Sequence, residues 1–218
     1  MPDPIDQLRL PLQRDLPSAA TALVVSDSNR EAITALADWP RQPGERLALC
    51  GPVGSGKSRL GEIWAERVGA IPLFGEEAAL ADPLELEGRP VLLDDAGRAD
   101  DETLFHLINL TQSGGGALLM IAREAPAAWT VALPDLHSRL ASTRTVTVEA
   151  PDDAVLAAML RAAFAERSIA PGEDVIDYLV RRIERSAAAA HDMAARLDAL
   201  HRPVTRMLAR QVIEGEAE

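Results

Sequence analysis

Apolar positions along the chain fall into two alternating patterns. Short unbroken or alternating runs occur at Leu23–Ser26, Leu47–Cys50, Ile71–Phe74, Val91–Asp94, Ala117–Ile121 and Thr145–Glu149, and they predict strands. Between them the apolar positions recur every three or four residues, as in Asn29–Trp39 and Glu102–Thr111, which predict helices. Strands alternating with helices imply an α/β fold, with a parallel sheet flanked by helices on both faces. Ligands in such sheets sit at the carboxyl ends of the strands. After Pro151 the strand pattern stops. Asp152 is placed to cap a helix carrying Val155, Leu156, Met159, Leu160 and Phe164 at helical spacing. Val175 to Ile183 marks a second helix, and Ala187–Leu200 and Val204–Ile213 a third and fourth. The expected organisation is an extended tail at 1–20, an αβ domain at 21–150 and a small all-helical domain at 151–218.

Composition narrows the function. The 218 residues are 47% apolar but only 3% aromatic, so the core is expected to be mostly Ala, Leu and Val. A formal charge of -12 argues against non-specific nucleic-acid binding, which depends on neutralising phosphates with Lys and Arg. No direct specific DNA binding is expected either. The single cysteine, Cys50, excludes an internal disulfide, and its place at a strand end predicts a buried thiol. With no secretory leader and no apolar run long enough for a bilayer, a cytoplasmic location and no membrane partner are expected.

Lys57 is the lone lysine among 22 basic residues, and it sits in Gly51-Pro52-Val53-Gly54-Ser55-Gly56-Lys57-Ser58. That string has the spacing of a phosphate-binding loop, G-x-x-x-x-G-K-[ST]. Its glycines allow backbone N–H groups to converge around a polyphosphate. Lys57 would reach the β- and γ-phosphates as a compact point charge, and the Ser58 hydroxyl would help hold Mg²⁺. A strand precedes the loop, and a helix beginning near Arg59 follows it, turning its N-terminus to the phosphates. ADP or ATP is the expected ligand. A second acidic site follows at Pro90-Val91-Leu92-Leu93-Asp94-Asp95. Asp94 is placed to hold Mg²⁺ through water, unless the pair is an ordinary Asp-Asp turn. Asp95 could polarise an attacking water.

A phosphate loop, an acidic strand and four C-terminal helices together resemble an AAA+ ATPase. Within that superfamily the chain is most similar to the bacterial initiator DnaA, and more narrowly to the shortened Hda family of regulatory inactivators. Ser28-Asn29-Arg30-Glu31-Ala32 resembles the segment near the adenine, which implies a binding role for Asn29. Leu133-Pro134-Asp135-Leu136-His137-Ser138-Arg139-Leu140 resembles the arginine-finger region, with the finger at Arg139. Val204-Thr205-Arg206-Met207-Leu208-Ala209 resembles the last lid helix, and the resemblance ends where an initiator would continue into a DNA-binding domain. It implies that Arg139 acts in trans on ATP held by a DnaA-type initiator, and it leaves room for self-association.

The sequence departs from the family pattern at three places. Asp95 stands where many such ATPases have Glu, one methylene longer. Ala122-Arg123 follows a strand where the family usually has a small polar residue. His191 occupies the lid position where the family usually carries an Arg against the nucleotide. All three imply weak intrinsic hydrolysis with nucleotide binding retained.

Residues 1–20 hold Pro2, Pro4, Pro11 and Pro17 and include Gln7-Leu8-Arg9-Leu10-Pro11-Leu12. The hexapeptide resembles those that dock proteins on the sliding clamp, the β subunit of DNA polymerase III. Gln7 would bond at the rim, Leu8, Leu10 and Leu12 would fill the cleft, and Pro11 would limit unbound conformations. The alternative is an arm packed on the protein's own core. The expected function is therefore regulation of replication initiation. A self-contained P-loop ATPase or kinase, and a DnaA-like initiation or recruitment factor, are the competing readings.

Overall fold

The structure, a computed structural model, describes residues 23–215. Five strands form one parallel sheet: β1 (Arg46–Cys50), β2 (Ile71–Phe74), β3 (Pro90–Asp94), β4 (Ala117–Ala122) and β5 (Arg144–Thr147), in the spatial order β2-β3-β4-β1-β5. The chain leaves β1 for the β2 edge and later passes over β1 to reach β5. The carboxyl end of β1 is therefore a switch point, where open parallel sheets form a crevice.

The two faces follow from the period of two along each strand. Leu47 and Leu49 point to one face, beneath α1 (Arg30–Ala37) and α2 (Lys57–Val68), where Leu36, Leu60 and Trp64 complete an apolar cluster. Ala48 and Cys50 point to the other, beneath α4 (Asp101–Gly114) and α5 (Pro134–Ala141), with Leu104, Ile108, Leu136 and Leu140. A short helix α3 (Pro83–Leu86) lies before β3. On α2 the buried residues Leu60, Gly61, Trp64 and Ala65 follow helical spacing, and left-handed Gly69 ends the helix. The Trp64 ring meets Trp39 at 5.0 Å, and its N–H donates to the Trp39 carbonyl at 3.1 Å. Burying a side chain of this size contributes on the order of 1.5–3 kcal/mol.

Four helices follow the sheet: α6 (Asp153–Ala165), α7 (Glu173–Val180), α8 (Ala187–Asp198) and α9 (Arg206–Glu214). They bury their own apolar cluster, including Leu156, Leu160, Phe164, Ile176, Leu179 and Leu197. Asp152, Ser186 and Thr205 cap α6, α8 and α9 by accepting N–H groups inside the first turn. This four-helix segment is referred to below as the lid.

One expected strand is absent. Leu23–Ser26 forms no ladder; Leu23 and Val25 are exposed, and the Ser26 N–H donates to the Asn29 side chain at 2.9 Å. The alternation there resembles a strand, but the segment turns into α1 instead of running along β5. The motif at Gln7, Leu8, Leu10, Pro11 and Leu12 lies outside the described residues.

Candidate nucleotide site

The Gly51–Gly56 loop leaves the carboxyl end of β1 and enters α2 at Lys57. Gly51 has φ +145, and a Cβ there would lie 2.0 Å from the Val148 carbonyl oxygen, so no larger residue fits against the end of β5. Gly54 has φ +76, and a Cβ there would meet the Ser186 Cβ at 2.5 Å. Its carbonyl accepts the Ala187 N–H at 3.2 Å, which joins the loop to the first turn of α8. Across Gly56 lies the Met159 methyl of α6. The loop thus runs between β1 and the lid, with Pro52, Val53 and Ser58 exposed and Ser55 buried. Arg59, half-buried on the first turn of α2, pairs with Glu62 at 3.3 Å.

Lys57 folds over its own loop. Its ammonium donates to the carbonyls of Gly51 at 2.8 Å and Pro52 at 2.6 Å, and to Ser55 Oγ at 3.3 Å. Burial lowers its pKa from the ordinary lysine value; Asp94 and Cys50 oppose that shift, and Arg123 adds to it. These electrostatic couplings gather one loop lysine, one strand-end carboxylate and one strand-end arginine at a single edge of the sheet. Burial pushes the neighbouring Cys50 thiol up to about 11, although Lys57 pulls the other way.

Asp94 ends β3, and its Oδ1 accepts the Asp95 N–H at 2.8 Å. Asp95 adopts a left-handed backbone with φ 51, uncommon for a residue with a side chain. Its Oδ2 lies 3.8 Å from Arg98 Nη1, while Glu76 pairs with Nη2 of the same guanidinium at 3.0 Å. Asp94 and Ser58 supply a carboxylate and an exposed hydroxyl. That donor set suits Mg²⁺, which commonly takes one or two carboxylates and completes its shell with phosphate oxygens and water. Among the described residues, no cluster of three or more His, Cys, Asp or Glu could hold a metal without such help.

Several residues expected at the nucleotide have partners of their own in the structure. Asn29 is buried, and its amide is spent on its own turn: Oδ1 accepts Ser26 N–H, and Nδ2 donates to the Val24 carbonyl at 2.8 Å. It shapes the turn before α1, which the Glu149 N–H then joins through Ser28. His191 directs Nδ1 to the Ala187 carbonyl at 2.9 Å and Nε2 to Glu166 at 3.3 Å. Glu166 lies two turns beyond Met159, about 10 Å along the helix from the residue that faces the loop. The lid residues seen against the loop are Ser186, Ala187 and Met159. Arg123 was legible only as a departure from a pattern. Because β4 inserts between β3 and β1, its backbone carbonyl accepts the Gly51 N–H at 3.2 Å, and its charge acts on Lys57.

Arg139 is elsewhere. It lies on α5, pairs with Asp135 at 2.9 Å, and donates to Asn109 Oδ1 at 2.9 Å and Gln112 Oε1 at 2.6 Å. Its guanidinium sits 5.3 Å from the centre of the Phe105 ring. Burial and the nearby Arg139 both lower the pKa of Arg46, which begins β1, and Arg46 Nε and Nη1 are buried without a partner among the described residues. Arg46 and the phosphate loop are at opposite ends of β1, about 13 Å apart. The structure therefore does not bring Arg139 to the Lys57 site of the same chain.

The sequence matches no protein-family model and no curated protein. Its fold has clear counterparts. Domain III of the Thermotoga maritima replication initiation protein DnaA is 18% identical and superposes with a TM-score of 0.71, covering 89% of this chain and 94% of that one. AMPPCP-bound DnaA from Aquifex aeolicus is 17% identical with a TM-score of 0.62, covering 82% of this chain and 64% of that longer one. A Thermotoga maritima RuvB mutant is 14% identical with a TM-score of 0.64, covering 86% and 68%. Among the described residues no helix is long and apolar enough to cross a membrane. In fold, then, this chain is similar to the AAA+ cores of DnaA domain III and RuvB: a parallel five-stranded α/β unit followed by four helices.

Proposed function

We propose that this protein binds an adenine nucleotide at the Gly51–Ser58 loop and regulates replication initiation by activating ATP hydrolysis on a DnaA-type initiator. Nucleotide binding is supported by the left-handed glycines, the buried Lys57 and the adjacent Asp94, and by the AMPPCP bound to a DnaA of similar fold. The phosphates would lie on the loop N–H groups, with Lys57 exchanging its carbonyl partners for phosphate oxygens. Ser58 and Asp94 would hold Mg²⁺, which neutralises phosphate charge when bound.

The observation that carries the regulatory reading is the position of Arg139. It lies near Arg46 at the amino edge of the sheet, away from the chain's own phosphate loop, which supports a role toward a nucleotide held by another molecule. To act it must leave Asp135, Asn109 and Gln112; the Asp135 carboxylate holds it in place, while the like charge of Arg46 favours departure. A guanidinium supplied in trans to a transferring phosphoryl group accelerates hydrolysis by roughly 10³–10⁵. The chain's own turnover is expected to be slow, since Asp95 is short and engaged by Arg98. Gln7, Leu8, Leu10, Pro11 and Leu12 would tether the protein to the DNA-loaded sliding clamp and hold Arg139 near its target.

The test is ATP hydrolysis by the initiator with clamp loaded on DNA, in the presence and absence of this protein. Stimulation that needs the clamp, and disappears with Arg139→Ala or with Gln7 and Leu8 both changed to Ala, is expected. Nucleotide binding without any stimulation would overturn the regulatory reading and leave a P-loop protein of other purpose.

A further inference from the structure

Two guanidiniums meet at the amino edge of the sheet, and the buried one has no part yet in the function. Arg46 opens β1 with the parity of Ala48 and Cys50, so the strand's period of two directs it to the face covered by α4 and α5. Both helices end there. The chain leaves α4 at Gly114 and enters β4 at Ala117, where Leu118 pairs with Arg46. It leaves α5 at Ala141 and enters β5 at Arg144, which pairs with Leu47. The last turn of α4 also touches the entry to β1: a Cβ at Gly44 would lie 3.8 Å from Gln112 Cα. From α5 the Arg139 carbonyl is held at this edge by the buried Thr143 hydroxyl, which donates to it at 3.0 Å.

The hydrogen bonds are unevenly shared. Arg139 has the Asp135 carboxylate and the amide oxygens of Asn109 and Gln112. Arg46 Nε and Nη1 are buried with no partner among the described residues. The carboxylate next to it in sequence, Glu45, accepts the Arg41 N–H at 2.9 Å. A buried donor without an acceptor destabilises, and a buried cation without a counter-charge does so more strongly. An apolar side chain of similar length would serve the fold better than Arg46 does. Its charge instead repels Arg139, and its free N–H groups compete for the acceptor that Arg139 holds at 2.6 Å. Of the two, Arg139 is the one on the helix surface and free to swing away.

We propose that Arg46 is a positioning residue for Arg139: it repels the docked guanidinium and takes over the Gln112 oxygen when Arg139 leaves. Release of Arg139 toward a phosphate held by another molecule then costs little, because the vacated acceptor satisfies a donor that had none. This inference rests on the trans role proposed above for Arg139.

Two measurements on the full chain test it. The first needs no initiator: thermal unfolding of wild type, Arg46→Met, Arg139→Ala and the double variant. Arg46→Met should raise the melting temperature by roughly 2–4 °C. In the Arg139→Ala background the same change should bring no gain, since Arg46 there already has Gln112 to itself. An equal gain in both backgrounds would overturn the proposal. The second is ATP hydrolysis by the initiator with clamp loaded on DNA. Arg46→Met should lower maximal stimulation roughly tenfold, while the concentration giving half-maximal stimulation and the affinity for ADP stay unchanged. Arg46→Lys, which keeps a charge and donors, should retain most of the stimulation. Adding Asp135→Asn to Arg46→Met should recover it, by loosening Arg139 from the other side. Full stimulation by Arg46→Met, or a loss that neither Arg46→Lys nor Asp135→Asn relieves, would overturn the proposal. A wild type that never stimulates would instead end the trans reading, and the positioning role with it, whatever the melting temperatures show.

Discussion

Lys57 donates to the Pro52 carbonyl at 2.6 Å, so the cation of the phosphate loop is held by the loop's own backbone. A phosphate must displace that contact and the one to Gly51. Hydrogen bonds to charged groups contribute about 1.5–3 kcal/mol each. Lys57→Ala should therefore lower affinity for ADP or ATP by about 10- to 100-fold or more. Isothermal titration calorimetry measures this, and unchanged affinity would remove the loop from the site. Lys57→Arg should also lose affinity, because a planar guanidinium cannot occupy the same small carbonyl cage.

Arg139→Ala should leave nucleotide affinity unchanged, because Arg139 lies near Arg46 at the other end of β1. Folding should lose about 1–3 kcal/mol, since the guanidinium's partly exposed contacts with Asp135, Asn109 and Gln112 go while its repulsion with Arg46 is relieved. Stimulation of the initiator should fall by roughly 10³. If calorimetry instead showed lost nucleotide binding, Arg139 would belong to this chain's own site. If stimulation persisted, Arg144 on β5 would be the next residue to substitute.

Gly54→Ala should uncouple the lid from the loop. The added methyl meets Ser186, and the left-handed backbone alone costs an L-residue about 1–2 kcal/mol. Thermal unfolding should drop by roughly 2–4 °C for each kcal/mol in a chain of this size. ADP should then stabilise the variant less than wild type. Equal stabilisation by ADP in both proteins would show that the lid contact is irrelevant to binding.

Asp152 joins the lid to the turn before α1. Burial works against its charged form, but the Ser26 hydroxyl and the N–H groups of Val155, Ala154 and Ser28 outweigh it, and the pKa falls below the ordinary carboxyl value. A native pKa below the unfolded one stabilises fully above about pH 4. That contribution is lost as pH falls from there through the lowered native value. Asp152→Ala should cost about 1 kcal/mol at neutral pH, from the lost helix cap, and less in acid. Urea unfolding at the two pH values gives the comparison, and a cost independent of pH would assign Asp152 no ionic role.

Cys50 should resist thiol reagents. A thiol with a pKa of about 11 has on the order of 10⁻⁴ of its population ionised at neutral pH, and it is buried besides. Alkylation should be slow in the native protein and rapid in denaturant, which mass spectrometry follows directly. Rapid native labelling would mean that the end of β1 opens readily.

The phosphate loop and acidic strand were readable from the sequence because their chemistry is local. Glycines and one lysine must stand at fixed spacing, whatever surrounds them. Strands β1 to β4 were readable for the same reason, each being an apolar run between breaks, and β5 from the alternation about Val146. Leu23–Ser26 misled because its alternation says nothing about whether a neighbouring strand accepts it. Asn29 has a role set within its own turn, yet its residue type suits a ligand equally well. Arg123 and Arg139 depend on contacts that cross the sequence. Arg123 acts on Lys57 only through the insertion of β4 between β3 and β1, and Arg139 rests on residues 27 and 30 positions away. No local pattern encodes those distances.

The lid's apolar cluster shares no residue with the two clusters around the sheet. Amide protons of α6 to α9 should therefore exchange with solvent as one cooperative group and those of β1 and β4 as another, with separate opening free energies. The joint between the groups is narrow: Gly54 to Ala187, Gly56 to Met159, and Ser26 to Asp152. A molecule seated on the Gly51–Ser58 loop lies at that joint. Its arrival would be felt as slowed exchange throughout four helices, most of whose residues it never touches.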